Sequence, residues 1–239
     1  MKQIYLIARR DLVSMFTSLR GYVVMSLVML LFGVFFYFHL KGSNEASMRD
    51  MFMVMNFLFL FIVPLFTMGA LSEERRAGTL FLLLTCPVSR GQIVAGKFIA
   101  CATFYTLAVS LTLEFVLLLT LAGSPDPGPI ATGYMGLLLS GYLAISVGLY
   151  TSSLTPSPLV AALSCYAFLF LAWILSAIPQ FLTGELATWV DRTGIVAHLA
   201  SFETGLISFR DTSYFVLGIL CWMSFTIIGF SQERENPSL

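Results

Sequence analysis

Six apolar runs, each long enough to cross a bilayer, dominate this sequence. A spanning helix needs about 20 mostly apolar residues, and the stretches Gly21–Leu40, Met51–Leu71, Ile93–Ala122, Ile130–Ser152, Pro158–Ile178 and Tyr214–Phe230 meet that requirement. A chain with 58% hydrophobic and only 11% charged residues has too few charges to cover a water-facing surface. Its mean hydropathy of +0.88 says the same. The expectation is an all-α integral membrane protein of six transmembrane helices. The first run is too long for the apolar core of a signal peptide and no small-residue cleavage site follows it, so it reads as a retained helix.

Turn chemistry separates the runs. Ser47-Met48-Arg49-Asp50 and Ser89-x-x-Gln92 read as capping boxes before the second and third spans. Gly123–Pro129, with its three prolines, reads as a tight turn outside the helices, and Thr155-Pro156-Ser157-Pro158 as another. Asp211-Thr212-Ser213 offers a cap to the sixth span.

The distribution of Lys and Arg sets the orientation. With a cytoplasmic N-terminus, Lys2, Arg9, Arg10, Arg20, Arg75, Arg76, Arg90, Lys97 and Arg234 lie inside, and Lys41, Arg49, Arg192 and Arg210 lie outside. Both ends are therefore expected in the cytoplasm, with the chain in the cell (inner) membrane. Residues 1–20 precede the first span and are amphipathic. Ile4, Tyr5, Ala8, Leu12, Met15, Phe16 and Leu19 share one face of a helical wheel, with Leu6, Ile7 and Val13 as exceptions, which suits a helix lying on membrane lipids. Residues 21–239 form the six-helix domain. Its extracytoplasmic segment 179–212 carries Phe181, Leu182, Leu186, Trp189 and Val190 and is expected to hold short helices.

A net charge of zero gives no basic face for nucleic acid. Cys86, Cys101, Cys165 and Cys221 are too scattered for a metal site or a disulfide framework. Gly91-Gln92-Ile93-Val94-Ala95-Gly96-Lys97 imitates a phosphate-binding loop, but Phe98 stands where Ser or Thr would hold Mg²⁺ and no strand precedes it. Neither His39 nor His198 belongs to a hydrolase motif. No catalytic residue and no metal ligand is expected.

The cytoplasmic loop 72–92 is the segment with most chemistry. Glu73, Glu74, Arg75 and Arg76 cluster at its start, Gly78 and Thr79 follow, and Leu80–Leu84 is too short to span yet too apolar to stand in water. Either the membrane face or another protein covers that patch. In the fourth span Gly136, Ser140, Ala144, Gly148 and Ser152 recur every fourth position, a packing seam within or between chains. Glu114 is the one acid well inside a span, and either faces a substrate path or is protonated or hydrogen-bonded to a neighbouring helix. Pro64 is expected to kink the second span, and Asn56 to serve as a hydrogen-bonding residue there.

Glu74-x-x-x-Gly78-Thr79-Leu80-x-x-Leu83-Leu84-x-x-Pro87-Val88-Ser89, closing with Gly96-Lys97, resembles the signature of ABC-2 type permeases, most closely those of gliding-motility and nitrous-oxide-reductase-maturation exporters, and the docking segment it implies runs to Arg90. Ile7-Ala8-Arg9-Arg10-Asp11 resembles the family's interfacial elbow helix, and Ser201–Phe215, with Phe202, Glu203, Gly205 and Asp211, resembles the segment before its last helix. Phe81 departs from the pattern, since members often carry Glu there. The resemblance implies a type V exporter-like permease fold in which loop 72–92 is a coupling helix docking on a cytoplasmic ABC ATPase. It further implies two ATPase copies holding ATP and Mg²⁺, no cofactor in this chain, and a second permease copy, identical or related. A periplasmic or accessory protein is compatible with it. The work would be export or mechanotransmission, and a secondary transporter or a non-transporting membrane anchor is the alternative.

Overall fold

The computed structural model describes residues 2–42, 48–79, 88–123, 125–178 and 194–235. Ten helices are described: α1 (Lys2–Thr17), α2 (Leu19–Gly42), α3 (Arg49–Thr67), α4 (Gly69–Arg76), α5 (Arg90–Leu111), α6 (Leu113–Ala122), α7 (Pro127–Leu154), α8 (Pro158–Ala177), α9 (Ile195–Glu203) and α10 (Phe209–Glu235). Six assemblies of these are long and apolar enough to cross a membrane: Leu19–Lys41, Arg49–Arg76, Arg90–Leu121, Pro127–Leu154, Pro158–Ala177 and Phe209–Gly229. The protein is an all-helical, multi-pass membrane protein, as the apolar runs require.

Several helix starts differ from the sequence reading. Pro127 and Pro129 do not lie in the turn; α7 starts at Pro127, and α8 likewise starts at Pro158. A first-turn proline lacks an N–H that the helix could not have paired, so it opens a helix rather than ending one. The Ser89–Gln92 capping box forms reciprocally, with Gln92 N–H donating to Ser89 Oγ at 3.3 Å and Ser89 N–H to Gln92 Oε1 at 3.0 Å. Before α3 the cap position is Met48, which supplies no side-chain cap, and Ser47 lies outside the described residues. Asp211 does not cap α10 either: that helix begins at Phe209 and places Asp211 inside its first turn.

Two spans are interrupted. The second lapses at Met68, one turn beyond Pro64, and resumes as α4. The third lapses at Thr112 between α5 and α6, where Tyr134 Oη donates to the Thr112 carbonyl at 3.0 Å. The same carbonyl accepts from Phe115 N–H at 3.1 Å, so the tyrosine is a second donor that braces the junction.

The bundle packs around α7. Its small residues admit the large side chains of its neighbours: a Cβ at Gly133 would lie 2.5 Å or less from the Phe52 ring, and one at Gly141 2.1 Å from Tyr105 Cζ. Tyr105 Oη donates to the Leu137 carbonyl at 2.8 Å. The main core joins Val28 and Phe32 of α2, Phe52, Met55 and Phe59 of α3, Phe104 and Tyr105 of α5, and Leu137, Ile145 and Leu149 of α7. Large apolar side chains such as Tyr22, Leu30 and Phe38 of α2 or Leu163 and Leu171 of α8 face outward. That is the pattern of helices solvated by lipid.

Candidate functional site

The charge cluster after the second span sits on the last turn of α4, a helix where the sequence reading placed the start of a loop. Ala77 ends α4, and Gly78 follows at φ +70°, the left-handed conformation that turns a chain out of a helix and favours glycine. Thr79 Oγ1 donates back to the Glu74 carbonyl at 3.3 Å. The turn thus explains why Gly78 and Thr79 follow the charges.

Glu74 faces into the protein, whereas the Glu73 side chain, 44% exposed, lies at its edge. Arg10 Nη2 lies 2.6 Å from Glu74 Oε1 and 2.8 Å from Asp11 Oδ1. Lys97 Nζ of α5 reaches Asp11 Oδ2 and Glu74 Oε1, each at 3.0 Å, and its side chain is only 3% exposed. Arg20, at the start of α2, pairs with Glu73. Burial alone would lower the Arg10 guanidinium, but Asp11 and Glu74 more than offset it and hold the pKa above its ordinary value. Arg10, Asp11, Glu74 and Lys97 thus join α1, α4 and α5 in one ionic cluster, and the separate Arg20–Glu73 pair ties α2 to α4 beside it. Arg75 turns to α7 and donates to the Ser153 carbonyl at 2.8 Å. Arg76, Ala77, Gly78 and Thr79 are exposed, and Arg76 has no hydrogen-bond or ion-pair partner among the described residues. Ser89 and Arg90 start α5. Leu83 and Pro87 lie outside the described residues, as do Cys86 and Trp189.

Gly96 permits the network. A Cβ there would stand 2.9 Å from Ile7 Cγ2 and 3.2 Å from the Ile4 carbonyl, so α1 lies directly against α5. Ile7, an exception on the sequence wheel, belongs to the packed face, while Tyr5 and Leu19 are 67% and 80% exposed. The inner face of α1 is defined by Ile7, Ala8 and Asp11 rather than by its apolar stripe alone. Arg9 lies exposed beside it.

The stripe on α7 packs within the chain. Gly136 meets Phe202, Ser140 Oγ donates to Asn56 Oδ1 at 2.6 Å, and a Cβ at Gly148 would stand 2.3 Å from Thr67 Oγ1. Ala144 packs on the main core. Ser152 Oγ accepts from the N–H groups of Leu71 and Ser72 at 3.0 and 3.1 Å and donates to the Met68 carbonyl at 2.8 Å, bridging the break between α3 and α4.

At the opposite end, His198 Nδ1 of α9 is 2.6 Å from Asp211 Oδ1, and the imidazole stacks on Tyr214 at 4.1 Å between centroids. Phe202 is fully buried and its carbonyl accepts from Thr132 Oγ1 at 2.6 Å. Gly205 turns the chain at φ +90°. Glu203 is half-buried, and its carbonyl accepts from Arg49 Nε at 3.3 Å. Burial pushes the Glu203 carboxyl above its ordinary value; Arg49 opposes the shift and Asp50 adds to it. Glu114 stands exposed on α6 with Leu117, Leu118 and Leu121 on the same face, and has no hydrogen bond or ion pair among the described residues.

The sequence reading missed Asp11–Lys97 as a pair, the Arg20–Glu73 contact and the Tyr134 support of Thr112. A lysine one to two turns into an apolar helix was the available signal for the first.

Residues 5–206 match the model of the ABC-2 family transporter proteins, and the chain belongs to that family. It is a permease component of an ABC transporter. It is 39% identical over 67 residues to a probable ABC transporter permease protein NosY of Stutzerimonas stutzeri, covering 28% of this chain and 24% of the relative. A NosY protein of Pseudomonas aeruginosa is 31% identical over 104 residues, 43% of this chain and 38% of the relative. The chain thus aligns with well under half the length of either relative.

Proposed function

We propose that this chain is the membrane half of an ABC-2 exporter whose ATP hydrolysis resides in a separate cytoplasmic ATPase, with ATP and Mg²⁺ held there. The observation that carries this reading is the ionic network around α4. A helix end whose carboxylates are tied to α1, α2 and α5, and whose next residues point outward, is built to receive a push and distribute it. Arg76, Ala77, Gly78 and Thr79 are the first residues of segment 72–92 available to an ATPase, while Glu73, Glu74 and Arg75 transmit. Two permease copies, identical or related, and two ATPases would complete the unit, with both chain ends on the cytoplasmic side of the inner membrane as the Lys and Arg distribution favours. The output is export across the membrane or mechanical transmission to a protein on its far side.

A secondary transporter would place an intramembrane acid at a broken helix so that both line an ion path. The break at Thr112 adjoins Glu114, but the Thr112 carbonyl is already held by Phe115 N–H and Tyr134 Oη, and Glu114 looks away from the bundle. That arrangement favours the ABC reading. The test is affinity purification of the tagged chain in mild detergent with identification of co-purifying proteins and an ATPase assay. A stoichiometric P-loop ATPase, lost in a Glu73→Ala/Arg76→Ala variant that still inserts, is the expected result. A chain that purifies alone overturns the proposal.

A further inference from the structure

A cavity of about 550 Å³ lies between α3, α7, α8, α9 and α10, within the roughly 300–1,000 Å³ typical of sites for small organic molecules. Its walls are apolar and aromatic. Phe57 packs on Trp173 with centroids 5.1 Å apart, Phe168 on Trp222 at 5.5 Å, and Tyr214 stacks on His198 of α9. Two of its polar residues are already satisfied, since Ser140 Oγ donates to Asn56 Oδ1 and Asn56 Nδ2 donates to the Phe52 carbonyl at 3.0 Å. Glu203 is different. It is the only charged residue among the described residues that line the cavity, and its half-buried carboxyl has no hydrogen bond or ion pair among them. Arg49 does not line the cavity and acts on that carboxyl only as a nearby charge, its Nε donating to the Glu203 backbone carbonyl instead.

Burial already penalises a charge on this carboxyl, and Asp50 adds to the penalty. An anion entering the cavity would increase it, whereas a cation relieves it. A small, strongly hydrated cation would give up its water for one carboxyl and a set of rings, which do not replace a hydration shell. A cation sheathed in apolar groups has little hydration to lose, fills the volume and gains from aromatic neighbours, which attract positive charge. We propose that this cavity is a binding site for a lipophilic organic cation, with Glu203 as its counter-ion and Phe57, Phe168, Trp173 and Trp222 as its walls. The site lies within one chain and shares no residue with the ionic cluster at α4.

The experiment is saturation binding of tritiated tetraphenylphosphonium to the full tagged chain in detergent, with partition into the micelle subtracted by excess unlabelled compound. The expected result is one saturable site per chain. Neutral triphenylphosphine oxide and the hydrophilic cation tetraethylammonium should each displace the label only at concentrations about tenfold or more above unlabelled tetraphenylphosphonium, equivalent to about 1.4 kcal/mol. In Glu203→Gln the affinity for the cation falls by about tenfold, to that of the neutral compound. In Ala172→Phe, which fills the cavity without altering a charge, saturable binding is lost, and this variant carries the test where Glu203→Gln lowers folded yield. No saturable binding by the unaltered protein overturns the proposal, as does binding that survives Ala172→Phe. Triphenylphosphine oxide competing as well as the cation, or unchanged affinity in Glu203→Gln, overturns Glu203 as the counter-ion. Tetraethylammonium competing equally overturns the apolar, aromatic walls as the source of selectivity. The measurement uses the permease without any ATPase, so its failure leaves the coupling proposal standing.

Discussion

Two short helices are fastened to the long spans by buried ion pairs, one at each end of the bundle, and they are fastened differently. At the α4 end, Arg10, Asp11, Glu74 and Lys97 share their charges, joining residues 64 and 86 positions apart in the chain. At the other end, His198 and Asp211 form one pair between residues 13 positions apart. A network across distant segments obliges three helices, α1, α4 and α5, to move together. A pair between sequence neighbours sets the shape of one hairpin, the α9–α10 corner, and leaves the rest of the bundle free of it. The difference gives the first end contacts between distant segments and the second a local one, and the proposed transmission rests on the first.

Breaking the network by removing its buried cation has the largest expected effect. Lys97→Met strands Asp11 and Glu74 with Arg10 alone, and stripping one partner from a buried pair costs about 3–5 kcal/mol. Thermal unfolding in detergent should show the loss, and Asp11→Leu combined with Lys97→Met should recover part of it. His198→Ala leaves Asp211 buried but still beside the start of its own helix, with an expected cost of about 1–3 kcal/mol. If His198→Ala proves as damaging as Lys97→Met, the contrast between the two ends collapses.

Arg76→Ala sharpens the comparison from the other side. Arg76 is exposed and unpaired among the described residues, so stability should change by less than about 0.5 kcal/mol while retention of the ATPase in pull-down falls. Unchanged retention would move the docking surface elsewhere in segment 72–92. The smallest effect is expected at Glu203. Its carboxyl is raised in the folded protein, so the native state holds its proton more tightly than the unfolded chain. The stabilisation is present at and below the ordinary glutamate value of 4.5 and fades as pH rises through the raised folded value. Melting curves against pH should therefore fall less steeply above 4.5 in Glu203→Gln than in the unaltered protein.

The spans were legible in the sequence because lipid imposes a length and a polarity on every helix that crosses it, whatever its neighbours. The Ser89–Gln92 box was legible because both halves lie within one turn. Glu73 and Glu74 were legible as important charges but their partners were not, since Arg20, Arg10 and Lys97 are remote in sequence. Gly96-Lys97 was dismissed as a phosphate loop and matched as the close of the family signature. Its physical role, close approach of α1 and neutralisation of Asp11, needed the fold. Apolar periodicity gave no sign of the interruption at Thr112, because the side chain that braces it, Tyr134, lies 22 residues away. The stripe on α7 was visible as a seam, while its partners Phe202, Asn56, Thr67 and Leu71 were not.

That stripe also governs how such a sequence can change over time. Its contacts recur every fourth residue from Gly136 to Ser152, and each meets a different neighbour. Deleting or inserting one residue near the start of α7 would turn everything beyond it by about 100°, a deletion bringing Leu137 and Leu149, and an insertion Met135 and Val147, to the crossings of Gly136 and Gly148 in a single event. The outward faces of α2 and α8 can drift one side chain at a time among apolar residues. Within α7, a change of length is closed as an evolutionary route, and homologues should vary in the length of their loops and termini around a fourth span of constant register.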